Sequence, residues 1–151
     1  MATLQQTADM LIEAAGWKQA RPDSDGVFRF SLDGDLDLEL LSPEARTGIL
    51  RADLGDAPGY DADGEDRLRR ISSLAAGALK SRSSVLSIAD GRLELHRTFA
   101  LADVTQSSIA SDVRDFLNDL SWWKAQMSGK SAAKTSSDTF SFSFGSWFSG
   151  N

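Results

Sequence analysis

Four acids stand at the spacing of a calcium-binding loop: Asp33, Asp35, Asp37 and Glu44 would fill positions 1, 3, 5 and 12. Such a loop turns sharply at its sixth position, which takes glycine, and here that position is Leu38. The leucines Leu36, Leu38 and Leu40 alternate with Asp35, Asp37 and Glu39. That alternation makes the same acids the wet face of a strand. A second cluster, Asp61, Asp63, Glu65 and Asp66, opens a helical pattern, where the positive end of the helix dipole favours negative charge. There is one histidine and no cysteine. Thiolate chemistry, cysteine-ligated zinc or iron–sulfur sites and multi-histidine metal sites are therefore excluded. His96 alternates with Leu95 and has no serine or carboxylate set beside it by the sequence, so it reads as an outer-face residue rather than a base. The Asp-Gly pairs at 33–34 and 90–91 mark turns, and no glycine-rich phosphate loop is present. Nothing singles out two of the 22 acids for paired acid–base work. The chain reads as a binder, not an enzyme, with no cofactor.

The 151 residues, 41% hydrophobic and 25% charged, suffice for one globular domain whose core needs no disulfide. No apolar run approaches the roughly 18 residues of a membrane span, and no basic-then-apolar leader opens the sequence, so a cytoplasmic protein without membrane insertion is expected. The net charge is −6, and residues 33–66 alone hold eleven acids against Arg46 and Arg51. That field opposes nucleic acid and favours a basic partner, with salt weakening its approach.

These residues must be positioned by elements legible in the periodicity. Leu4, Ala8, Leu11, Ile12 and Ala15 predict a helix over 3–15, stopped by Gly16, with Trp17 folding back on the core. Phe28, Phe30 and Leu32, then Leu36, Leu38 and Leu40, then Leu50, Ala52 and Leu54 predict three antiparallel strands, each with one apolar face. On the wet face Arg29 and Arg51 fall across from the acids of the middle strand. After a turn-rich loop over 55–64, Leu68, Ile71, Ala75 and Ala78 or Leu79 share a helical face over 65–81, with Lys80 and Arg82 at its negative end. The run Ala75-Ala76-Gly77-Ala78 permits a close approach by another element. A hairpin over 85–99 follows, turning at Asp90-Gly91. A last helix over 107–127 carries a stripe of Ile109, Val113, Phe116, Leu117, Leu120 and Trp123 or Trp122. The order αβββαββα predicts an α+β fold, an antiparallel twisted sheet packed against helices. Residues 1–127 form this domain, and 128–151 are a Ser/Phe-rich tail. Its stretch Thr139-Phe-Ser-Phe-Ser-Phe144 alternates as an edge-adding strand does.

Several motifs in this order resemble the class I chaperones of bacterial type III secretion, the CesT-like family. They are Gly26-Val-Phe-Arg-Phe-Ser-Leu-Asp33 with the acidic-leucine strand after it, Ile49-Leu-Arg-Ala-Asp-Leu-Gly-Asp-Ala-Pro58, Asp90-Gly-Arg-Leu-Glu-Leu-His-Arg-Thr-Phe-Ala-Leu-Ala-Asp103 and Phe116-Leu-Asn-Asp-Leu-Ser-Trp-Trp-Lys124. The likeness covers about residues 1–127 and leaves the tail outside. It implies a homodimer joined through the second helix and the strand after it, at Leu74, Ala75, Ala78 and Val85. It also implies a partner, the N-terminal region of a secreted effector held extended, for which Leu4, Leu11, Phe28, Phe30 and Leu50 are the candidate contacts, with Asp35, Asp37 and Glu39 as guides for a basic segment. Delivery to the secretion ATPase follows from the same likeness. Each apolar position also fits ordinary core packing. The build is similar as well to YbjN-type regulatory or sensory domains, which would bind a different protein and no export client. A small-molecule enzyme would need a deep pocket with convergent polar groups.

Overall fold

The computed structural model describes residues 2–32 and 36–128. The predicted turn at Asp33-Gly34, the residue Asp35 and the tail strand lie outside them. Helix α1 (Leu4–Ala15) begins at a capping box, in which the Thr3 hydroxyl accepts from the Gln6 N–H and the Gln6 side chain accepts from the Thr3 N–H. It ends at Gly16, whose left-handed φ of 67° closes the last turn. Strands β1 (Phe28–Leu32), β2 (Leu36–Leu41) and β3 (Thr47–Asp56) form an antiparallel meander. Helix α2 (Ala62–Ala78) follows, then β4 (Val85–Ala89), β5 (Arg92–Ala100) and helix α3 (Gln106–Met127). The β4–β5 turn needs positive φ at both central residues, 51° at Asp90 and 74° at Gly91, which the Asp-Gly pair supplies.

The sheet order is β1-β2-β3-β5-β4, all antiparallel. The α+β architecture expected from the periodicity is thus the one found. Alternation decides which face is covered. Phe28, Phe30, Leu36, Leu38, Leu40, Leu50, Ala52, Leu93 and Leu95 all point to one side and are buried there. On that side α3 lies over β3, β2 and β5, and α1 packs against α3. The predicted stripe Ile109, Val113, Phe116, Leu117, Leu120 and Trp123 is buried throughout. Trp17 folds back as expected, its ring centroid 5.1 Å from that of Phe30. The opposite face carries a directly cross-paired row, Arg29–Glu39–Arg51–His96–Val85. Arg29 and Arg51 each reach Glu39 at 2.5 Å, as the wet-face register anticipates.

Two boundaries differ from the sequence reading. Helix α2 starts three residues earlier, because the Asp61 carboxylate accepts from the Gly64 N–H at 2.7 Å and so caps it. The helix also stops at Ala78, so Arg82 lies beyond its end rather than at its negative pole.

Candidate functional site

Helix α2 is held at its two ends and left open along its length. At its start Gly64 sits against the loop before it: a Cβ there would lie 2.0 Å from the Gly59 carbonyl oxygen, so only glycine admits this approach. Beyond its end, the segment entering β4 is tied to α3 through Asp119, which is 5% exposed. Asp119 accepts from Arg82 Nη1 at 3.0 Å, from the Ser84 N–H at 3.2 Å and from the Ser84 hydroxyl at 2.6 Å. The Arg82 guanidinium also lies 4.5 Å over the Trp122 ring. Arg97 adds bonds to Asp112 at 2.7 Å and to the Ser83 hydroxyl at 2.5 Å. A polar hollow of about 270 Å³, lined by Arg82, Asp115, Asn118 and Asp119 among others, opens here.

Between those anchors, Gly64 and Ile71 are the buried residues of α2. Leu74, Ala75 and Ala78 are half-buried against the core, whereas Ala76 and Gly77 are exposed and a Cβ on Gly77 would meet nothing within 4 Å. Leu68 is 41% and Leu79 70% exposed. The neighbouring edge strand β4 adds Val85 at 45% and Ile88 at 53%. The large apolar side chains left in water on the described residues are these four and Tyr60, in the loop before α2. On β4, Val85 faces the outer side of the sheet and Ile88 the helix-bearing side. Of the four residues expected at a dimer interface, Val85 is exposed on β4, and Leu74, Ala75 and Ala78 are half-buried on α2.

The expected effector contacts are placed differently. Leu11, Phe28, Phe30 and Leu50 lie in the core of the single chain, and Leu4 is half-buried at the start of α1. An open groove of about 500 Å³ lies along α1, lined by Gln6, Asp9, Met10 and Glu13 with Ala102 and Val104, and none of the five expected contacts lines it. Of the acids named as guides, Asp37 is exposed, while Glu39 is neutralised by Arg29 and Arg51. Asp53 is paired with Arg92, whose hydrogen bond holds that carboxyl below its ordinary value of 3.8. The Asp23 carboxyl is held low too, first by the Val27 N–H and further by Asp25 and Arg29. His96 stands on the outer face as expected, its Nδ1 3.5 Å from the Ser87 hydroxyl. No group of three or more potential metal ligands occurs among the described residues, and none of their helices is long and apolar enough to cross a membrane.

Asp119 and its cluster were not visible in the sequence. An acid inside a helical stripe has nothing to distinguish it when its partners lie 35 and 37 residues away.

No family model and no curated protein matches this sequence. Solved structures do match its fold. The ExsC–ExsE complex is 20% identical over 82% of this chain and 95% of that chain, with a TM-score of 0.60. The HopA1–SchA chaperone–effector complex is 14% identical over 80% and 91%, at 0.61. The Yersinia pestis type III secretion chaperone SycH, solved with a stable fragment of YscM2, is 16% identical over 80% and 98%, at 0.52. The chain shares the α+β fold of these proteins, the fold its sequence motifs suggested.

Proposed function

We propose that this protein is a cytoplasmic chaperone of a type III secretion system, a homodimer that binds the N-terminal region of a secreted effector in extended form and promotes its delivery to the secretion ATPase. The observation that carries this reading is the likeness of its whole described fold to structures solved as complexes with a second protein. In this reading residues 1–127 are the chaperone domain and 128–151 an appended tail. The dimer face is the open side of α2, reached through the half-buried Leu74, Ala75 and Ala78, together with Val85 of β4, where small side chains let a second copy approach closely. The groove along α1 receives the effector: Met10 gives it an apolar side and Asp9 and Glu13 attract basic residues, while Leu4, half-buried at the start of α1, is the one expected apolar contact not fully inside the core. Holding a segment extended keeps it narrow enough for an export channel, and no catalytic step or cofactor is needed for that work.

The test is purification of the tagged protein from its own bacterium while secretion genes are expressed, with bound proteins identified by mass spectrometry and the mass of the complex measured by light scattering. Two chains carrying the N-terminal region of an exported protein is the expected result. A single chain without an exported partner would overturn the reading and favour a regulatory domain of similar build.

A further inference from the structure

The groove along α1 takes Gln6, Asp9, Met10 and Glu13 from that helix and the small apolar pair Ala102 and Val104 from the segment that leads into α3. Its two acids are exposed. Among the described residues, neither Asp9 nor Glu13 has an arginine or lysine within ion-pair distance, and Asp9 accepts a neutral hydrogen bond from Gln5 Nε2 at 3.0 Å. On the sheet, by contrast, Glu39, Asp53 and Asp56 are already neutralised by arginines. The negative charge along the groove is therefore free to meet a partner's cations.

The spacing of these acids selects among cationic partners. Asp9 and Glu13 lie one helical turn apart, about 6 Å along α1. In an extended chain alternate residues share a face at about 6.6–6.8 Å, while adjacent residues point to opposite faces. Two basic side chains with one residue between them thus meet both acids at once. A bound helix would offer the same repeat at four-residue spacing, so room decides between the two. From Gln6 to Glu13 the groove follows about 10 Å of α1. Over that length an extended chain, with the cross-section it has in stacked sheets, fills about 480 Å³. A helix about 10 Å across fills about 790 Å³. The groove offers about 500 Å³, which suits the strand.

We propose that this groove sets the register of an extended peptide reading basic–apolar–basic, with the basic side chains on Asp9 and Glu13 and the apolar one against Ala102 and Val104. Gln6 contributes a donor: its Oε1 accepts from the Thr3 N–H, which leaves Nε2 for a peptide carbonyl. The inference rests on the groove being the effector site and adds which effector residues enter it, and at what spacing.

Three fluorescein-labelled peptides of identical composition serve as probes of the full chain, each with two lysines and one valine among serines and glycines. The lysines are adjacent in the first, alternate around the valine in the second and four apart in the third. Fluorescence anisotropy should find the alternate peptide about threefold to fivefold tighter than either of the others. Asp9→Asn and Glu13→Gln should each remove that preference, whereas Asp25→Asn, which neutralises an exposed acid outside the groove, should keep it. Equal affinity at all three spacings, tightest binding of the four-apart peptide, no binding of the alternate peptide up to about 1 mM, or the same loss in Asp25→Asn would each overturn the proposal. The chaperone reading is decided separately, by the protein recovered from the bacterium. An exported partner that binds Asp9→Asn and Glu13→Gln as well as the parent would overturn this register and keep that reading. Spacing-dependent peptide binding without any exported partner would keep the register and overturn the chaperone reading alone.

Discussion

Asp119 holds three donors at once, from Arg82 and from the main chain and hydroxyl of Ser84. Removing the carboxylate leaves a guanidinium and a buried N–H without their acceptor, a loss typical of a broken buried pair. Asp119→Ala should therefore lower unfolding stability by about 3 kcal/mol. The shift of the urea midpoint at constant slope measures it. Ser84→Ala, which removes one hydroxyl from the same cluster, should cost about 1 kcal/mol. On the opposite face Asp53 and Asp23 are perturbed for a different reason, their charged forms being stabilised by donors in an exposed setting. Both folded carboxyls lie below their unfolded values. Their small contribution to stability is thus fully present above about pH 4 and is lost as pH falls through the folded values. Side-chain NMR titration should find the Asp53 midpoint below 3.8, and Arg92→Gln should raise it toward that value.

Helix α2 sets the behaviour of its neighbourhood through what it leaves uncovered. Leu68 and Leu79 contribute little to the core of a single chain, so replacing both by lysine should leave helix content by circular dichroism unchanged. If α2 joins two copies as proposed, the same double variant should reduce the light-scattering mass from two chains to one. A mass that stays at two chains would remove α2 from the interface. The helix also shows where sequence reading reaches its limit. Strands β1, β2 and β3 and helix α3 were legible because one face of each is buried, and burial on one face writes a clear period into the residues. The start of α2 was obscured because Ala62, Asp63 and Gly64 are also loop formers, and the decisive contact, Gly64 against Gly59, is tertiary. Periodicity likewise gave Leu11, Phe28, Phe30 and Leu50 as an apolar face without saying whether protein or ligand would cover it. The core covers them.

Across the whole molecule charge is separated along the sequence but largely compensated in space. Glu39, Asp53, Asp56 and Glu65 have arginines within ion-pair distance, so that among the described residues exposed acids such as Asp37, Asp63 and those on the rim of the α1 groove do more to shape the field. For a basic peptide bound in that groove, raising ionic strength from about 0.05 to 0.5 M should slow association severalfold with less effect on dissociation. Stopped-flow fluorescence would report it, and a salt-independent rate would rule out steering. The sheet order has a separate consequence, for synthesis. β3 lies at the centre, yet its partner β5 comes after α2 and β4 in the chain, so the longest ladder joins residues 47–56 to 92–100. While a ribosome adds the 44 residues from Ala57 to Ala100, at about 5–20 residues per second, the nascent meander presents β3 with one edge unpaired for roughly 2–9 s. The segment most in need of protection from aggregation during translation is therefore the middle of the finished sheet, not its rim.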